Sequence, residues 1–406
     1  MTAKNNIPVG YKDSAAGIIP QEWEVKRLGA IAKCFSGGTP KSESENMYGG
    51  IIPFIRSGEI HSNKTALFLT EEGLKKSSAK MVEVGDLIFA LYGANSGDCA
   101  ISQINGAINQ AILCIRSSKV INPFLQPYLE LQKDMFIAKY LQGGQGNLSG
   151  EIVNSYTIPV PPMEEQRKIA EILGVWDEAI EKQSRLIERL EVRKRALMQR
   201  LLTGRVRLSG FTTPWQKIKL GEICEEYILR NTGDNDYIVL SCTKYNGLVS
   251  SLDYFGKQIF SDNLRTYKVV PKHHFAYATN HIEEGSIGYQ FSYDYALISP
   301  MYTVFKTDDT KVDNYFLYRL LKTPLMIYNY QSRIEGSIDR RGGLRWDAFA
   351  GITIKLPSLP EQKAIAEVLT VADNEIATHR KKLDVLRLQK RGLMQQLLTG
   401  KTRVKI

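Results

Sequence analysis

The chain has 406 residues, 43% of them hydrophobic and 24% charged, with a net charge of +10; that is enough for two to four globular domains and excludes a disordered or fibrous chain. No run of about 18 apolar residues occurs, and the N-terminal MTAKNNIPVGYKDS lacks the apolar stretch of a signal peptide, so a soluble, cytoplasmic protein is expected. Five scattered cysteines (Cys34, Cys99, Cys114, Cys224, Cys242) without C-x-x-C spacing read as free buried thiols, and the positive charge favours a polyanionic partner, most simply nucleic acid.

In chain order, residues 1–157 form a first mixed α/β unit. Segment 85–92 (GDLIFALY) reads as a strand entering a turn, Ala107–Ile115 as a later strand and Phe124–Leu131 as a short helix. Residues 158–204 read as one long helix, opened by Pro159, Pro161 and Pro162 and closed at Thr203-Gly204. Its apolar residues step by three and four: Leu173, Trp176, Ile180, Ile187, Leu190, Leu197 and Leu201. A second unit follows over 205–353, with 271–278 (PKHHFAYA) and Ala296–Phe305 as strands and Asn314–Leu321 as a helix. Residues 354–406 carry a second long helix, opened by Pro357 and Pro360, with Leu369, Ile376, Leu383, Leu386, Leu393 and Leu397 on its stripe.

The second half thus repeats the first. Aligning 158–208 with 354–404 gives 22 identities in 51 positions, and Trp23, Leu28, Gly29 and Ile31 recur as Trp215, Leu220, Gly221 and Ile223. A unit this long is a duplicated half-protein; solenoid periods are roughly 20–50 residues. Each helix, at about 39 residues, would extend roughly 58 Å. One-sided helices of that length need a partner, so the two stripes are expected to pack on each other as an antiparallel pair with pseudo-two-fold symmetry. Gln183, Lys194, His379 and Lys390 interrupt the stripes at matching places, either setting register or lying at a wet edge. The fold class expected is α+β, two globular units separated by two long antiparallel helices. Helices kept alike beside globular units that drifted imply one shared task and two different recognition tasks.

No catalytic signature accompanies this plan. Asn122-Pro123-Phe124 lacks the second proline of an amino-methyltransferase pocket, the phosphate-binding G-x-x-x-x-G-K-[ST] and G-x-S-x-G are missing, and the five histidines show no ligand spacing. Gly144-Gln145-Gly146-Asn147-Leu148-Ser149 starts like a dinucleotide fingerprint but follows a helix-like stretch and lacks its third glycine. His273 and His274 would point apart on a strand. A non-catalytic protein without a metal site is expected.

The segments IPVPPMEEQRKIAEIL with LMQRLLTG, and IKLPSLPEQKAIAEVL with LMQQLLTG, supported by PQEWEVKRLGAIA, SGGTP and GGIIPFIRSGEI, carry a strong resemblance to the specificity (S) subunit of type I restriction–modification systems. The resemblance covers nearly the whole chain. It implies two target-recognition domains, 1–157 and 205–353, each reading one half of an interrupted, asymmetric double-stranded DNA target. It implies also that the helices space these domains and dock two methyltransferase (M) subunits, which restriction (R) subunits join. S-adenosylmethionine, ATP and Mg then belong to those partners, with no cofactor in this chain. The second unit lacks SGGTP and IPFIRSG, so its DNA-facing loops cannot be placed by analogy with the first. The alternative from another class is a coiled-coil adaptor bridging two proteins without sequence-specific DNA binding.

Residue chemistry then nominates DNA contacts, since Arg, Lys, Asn, Gln and Ser read base edges while Lys, Arg and Thr take phosphates. In the first unit these are Ser36, Thr39, Lys41, Arg56, Ser57, Lys64, Lys75, Lys76, Tyr92, Asn95, Gln145 and Asn147. In the second they are Lys244, Tyr245, Arg265, Lys272, His273, Asn280, His281, Arg333, Arg340, Arg341 and Arg345. Gly37 and Gly38 are expected to shape a turn. Ile172, Leu186, Leu202, Val368 and Leu398, outside the stripes, either form partner surfaces or widen the helix contact.

Overall fold

The computed structural model of the chain describes residues 7–41, 45–140, 148–233, 235–334 and 343–406. The two long helices are present as Met163–Leu201 and Leu359–Leu397. Each starts about five residues later than expected, because the preceding residues are strands: Thr157–Val160 pairs with Glu24–Arg27, and Thr353–Leu356 with Gln216–Lys219. Acidic Glu164, Glu165 and Glu361 occupy the first turns, where the helix dipole favours them. Gly204 and Gly400, at φ +69° and +71°, supply the left-handed residue that ends each helical run.

Compact packing does not follow the four successive segments read from the sequence. It yields two units, residues 1–185 with 381–406 and residues 186–380, so each long helix is shared between them. The physical reason is the apolar stripe, which packs half of one helix against half of the other. In the first unit Leu173 and Leu397 are buried with Trp23, Phe124 and Tyr128. In the second, Leu201 and Leu369 are buried with Phe275, Phe305, Phe316 and Tyr330. Leu383, Ile187, Leu190 and Ile376 are buried, whereas Trp176, Ile180, Leu197, Leu386 and Leu393 are half-buried, as expected of a stripe on a paired helix. Gln183 is buried among them. Leu202 and Leu398 belong to the cores and so widen the helix contact, while Leu186 stays exposed.

Within each unit the helix halves run antiparallel, and the same ion pairs fix them. Asp177 meets Lys390 at 2.5 Å in the first unit, and Asp373 meets Lys194 in the second. At the helix starts a denser knot recurs. The carboxylate of Glu165, wholly buried, accepts from Trp23 Nε1 (2.8 Å) and from Arg403 Nε (2.7 Å). Glu361, also wholly buried, accepts from Trp215 Nε1 (3.2 Å) and Arg207 Nε (2.9 Å). The neighbouring glutamines grip backbone: Gln166 Nε2 donates to the carbonyls of Lys119 and Pro161, and Gln362 Nε2 to those of Lys311 and Pro357. The Glu-Gln pair in each repeat is therefore the joint between helix and globular region, not only a helix-start signal.

The globular regions, alike in little of their sequence, share a framework. In the first unit a four-stranded antiparallel sheet has the order Ala32–Ser36, Ile112–Ser117, Leu87–Ala90, Cys99–Ile101. In the second the order is Cys224–Glu226, Tyr302–Thr307, Phe275–Ala278, Ile287–Tyr289. Leu87–Ala90 and Phe275–Ala278 are buried at every residue, which is why both read as unbroken apolar runs. Segment 271–278 is thus not one strand. His273 and His274 sit in the turn before Phe275, with His273 at φ +66°, and do not alternate across a sheet. The helix expected at Phe124–Leu131 extends over Asn122–Tyr140; its counterpart is broken into Asn314–Leu321 and Pro324–Gln331, where Thr323 caps and Pro324 starts the second piece.

The remaining strands diverge. The first unit has a second four-stranded sheet, ordered Leu67–Leu69, Tyr48–Ile55, Gly106–Ile108, Lys80–Val82. The second unit has two separate pairs, Leu240–Thr243 with Gly247–Ser250 and Lys268–Pro271 with Tyr295–Ile298. All five cysteines are free; Cys99, Cys114 and Cys224 are buried as expected, whereas Cys34 and Cys242 are only partly buried. Burial nonetheless pushes the Cys34 thiol up to about 11 and those of Cys114, Cys224 and Cys242 to about 12. They are protonated at neutral pH and chemically quiet.

Candidate nucleic-acid interface

In each unit the shared sheet has one end where loops gather. In the first, the strand Ala32–Ser36 leaves the sheet beside Leu113, so Ser36 and the SGGTP stretch lie next to the 109–111 turn. Thr39 Oγ1 donates to Gln110 Oε1 there. Gly37 and Gly38 pass against the strand Gly106–Ile108, and a Cβ on Gly37 would come within 1.8 Å of the Ile108 carbonyl. These glycines serve a close approach of two backbones and not the turn expected of them. Gly37→Ala is expected to destabilise the first unit by about 3 kcal/mol, read as a lower midpoint in urea unfolding; an unchanged midpoint would rule this packing out.

Arg56, Ser57 and Asn95 converge at the same end. Asn95 Nδ2 donates to the Ser57 carbonyl at 3.1 Å. Arg56 is engaged by Glu59, with Nε at 3.1 Å from Oε2; that hydrogen bond and the adjacent charge raise the Arg56 pKa. Tyr92 is half-buried beside them, and burial raises its phenol. The backbone N–H of Leu148 donates to the Leu91 carbonyl (2.9 Å), tying Leu148 to this turn. Gln145 and Asn147 lie outside the described residues. Lys41 and Lys64 are exposed, and Lys75 and Lys76 pair with Glu71 and Glu72 one helical turn away, as solvated surface charges do.

The second unit repeats this end with other side chains. The strand Phe275–Ala278 runs out at Thr279, Asn280 and His281, and Thr279 Oγ1 donates to the Met301 carbonyl at 2.8 Å. Leu344 N–H donates to the Thr279 carbonyl (3.0 Å), the counterpart of Leu148 and Leu91, and exposed Arg345 follows. A cavity of about 330 Å³ opens beside them, lined by Ser241, Phe260, Asn280, Ser299, Met301 and Tyr302. Arg340 and Arg341 lie outside the described residues.

Other nominated residues fall elsewhere. Lys272 and His273 precede Phe275 and so stand at the opposite end of that strand from Asn280; Lys272 pairs with Asp294 (3.7 Å), and His273 Nδ1 meets Tyr289 Oη at 2.7 Å. Nothing in the run PKHHFAYA marks its first residues as lying at the opposite end of the strand from those that follow Ala278. Tyr245 is 82% exposed in the hairpin turn after Thr243, beside Lys244, whose carbonyl accepts from Lys322 Nζ. The Arg265 backbone N–H donates to Asn263 Oδ1, and the Arg333 side chain donates to the Asn329 carbonyl. Thr279, Met301 and Phe260 were not nominated. The signal that could have found them is position, since each borders the turn that ends a buried strand.

A model of the type I restriction modification DNA specificity domain matches residues 20–192 and again 213–388. The specificity subunit of the type I restriction enzyme MjaVIII from Methanocaldococcus jannaschii is 25% identical, over 97% of this chain and 96% of its own. Among solved structures, the S subunit of a type I restriction–modification system from M. genitalium shares the fold over 98% of both chains, with a TM-score of 0.54 at 14% identity. A chain from a structure of type I R-M complex assembly and conformational transition aligns over 95% of this chain and 99% of its own, with a TM-score of 0.61 at 17% identity.

Proposed function

The chain belongs to the type I restriction–modification DNA specificity family and is a specificity subunit with two target-recognition domains; from this premise we propose that it reads a bipartite, asymmetric DNA target, one half with each domain, and catalyses nothing itself. The observation that carries the reading is the contrast between a sheet of identical order in both units and the unlike strands mounted on it. One frame holding two different surfaces suits two different half-sites. The adaptor alternative gives way to the family assignment. The net charge of +10 accords with a DNA partner, and no described helix is long and apolar enough to cross a membrane. Cytoplasmic action, where such DNA lies, is part of the proposal.

The helices supply the shared task. Exposed apolar residues recur on them at the repeat spacing: Val175 (64%) with Val371 (61%), and Val192 (57%) with Leu388 (71%). Apolar side chains kept exposed at equivalent positions support docking of two copies of one partner, the methyltransferase subunits. Restriction subunits join them, and S-adenosylmethionine, ATP and Mg act in those partners.

Methylome sequencing of cells expressing this chain with its methyltransferase subunit tests the function. The expected motif has two half-sites about one DNA turn apart, and it disappears when this gene is deleted. A single continuous motif would overturn the reading. In the same system Val175→Glu is expected to remove one bound methyltransferase copy, and Val175→Glu with Val371→Glu both, measured as the mass of the assembled complex. Two copies retained on the double variant would exclude these faces.

A further inference from the structure

The two strand-ending turns correspond closely. Leu87–Ala90 passes through 91–98 into Cys99–Ile101, and Phe275–Ala278 passes through 279–286 into Ile287–Tyr289, loops of equal length. The Ala90 N–H donates to the Asp98 carbonyl, as the Ala278 N–H does to that of Ser286. Ser96 N–H donates to Gly93 as Glu284 N–H does to His281, and Gly97 and Gly285 share a positive φ of +78° and +90°. Leu148 and Leu344 are tied to the two turns by the same backbone bond. On this common anchorage the side chains differ, with Tyr92 in the first turn at the place of Asn280 in the second.

Asn280 is exposed at the mouth of the cavity beside it. Its Oδ1 lies 3.3 Å from Thr279 Oγ1, whose shorter bond goes to the Met301 carbonyl, and would lie 2.8 Å from a Cβ on Gly343, so glycine at 343 leaves room for the amide. An oriented, solvent-facing carboxamide matches the paired acceptor and donor of adenine in the major groove, N7 and N6. Met301, 60% exposed, stands beside it as an apolar neighbour.

Resting on the function proposed above, we propose that these two turns are the equivalent base-reading elements of the two half-sites, with Asn280 reading an adenine in the second half-site and Tyr92 discriminating in the first. Lys272 and His273, at the far end of the strand, then read no base.

The test uses the full chain assembled with its methyltransferase subunits and duplexes in which each base pair of the target is replaced in turn. Asn280→Ala is expected to weaken binding to the intact target roughly 5- to 150-fold and to abolish discrimination at one A·T pair of the second half-site alone. Substituting 7-deazaadenine there should weaken the unaltered complex and leave Asn280→Ala unaffected. Tyr92→Ala should relax the first half-site alone, and Lys272→Ala should leave the base preferences of both intact. Uniform weakening by Asn280→Ala at every position, or loss of discrimination in the first half-site, overturns the inference while leaving the bipartite function standing. An unaltered complex that binds no bipartite target overturns the function itself, and with it this inference.

Discussion

Arg403→Ala is expected to cost about 3 kcal/mol of stability, because it strands the buried carboxylate of Glu165. That carboxylate accepts from Arg403 at 2.7 and 3.1 Å and from the indole of Trp23 at 2.8 Å; without the arginine, one N–H would have to satisfy a full charge out of water. The figure sits at the low end for a broken buried pair since the Arg403 side chain is itself 34% exposed and water screens it. Urea unfolding should show the loss in the transition of the unit holding residues 1–185, because both partners belong to it. Arg207→Ala should weaken the other unit in the same way through Glu361. Lys182→Ala, which removes an exposed pair with Glu178, should change neither transition. A loss for Arg403→Ala no greater than for Lys182→Ala would show that the knot is not what joins helix to domain.

Replacing residues 216–356 by residues 24–160 is expected to leave a chain that assembles and recognises the first half-site twice. The joint tolerates the exchange because its partners are either repeated or backbone. Strands Glu24–Arg27 and Thr157–Val160 travel together as a pair. Gln362, which accepts from the Asp313 N–H and donates to the Lys311 carbonyl, would meet the Ile121 N–H and Lys119 carbonyl that Gln166 already holds. Trp215, Arg207 and Glu361 stay in place. Methylome sequencing reads the outcome: a target containing the first half-site twice and none of the second. Persistence of the second half-site would place its reader outside 216–356, and the two-domain reading would fall.

Much of this organisation could be read from residues alone. The identities between 158–208 and 354–404 include Glu165, Gln166, Asp177, Lys194 and Arg207 with their counterparts, and each of these holds a helix in place. Their role was not legible, because a buried ion pair links residues such as Glu165 and Arg403 that stand more than two hundred positions apart. The sheet framework was equally hidden. Leu87–Ala90 and Phe275–Ala278 need only be apolar to fill a buried central strand, and many sequences satisfy that. The candidate DNA contacts are the least legible, since a lysine paired with glutamate, as Lys75 is, and an exposed asparagine at a strand end, as Asn280 is, look equally polar in sequence.

The duplication, the two long helices and the family are written in the residue order, because periodicity and identity are properties of that order. That each unit is built from one globular region and halves of both helices emerges only on folding, since side-chain burial follows packing across distant segments. Folding also fixes the end of each sheet at which the turns 91–98 and 279–286 lie. Hydrogen bonds such as Leu148 to Leu91 and Leu344 to Thr279 set that end, and they depend on backbone geometry that no residue type dictates.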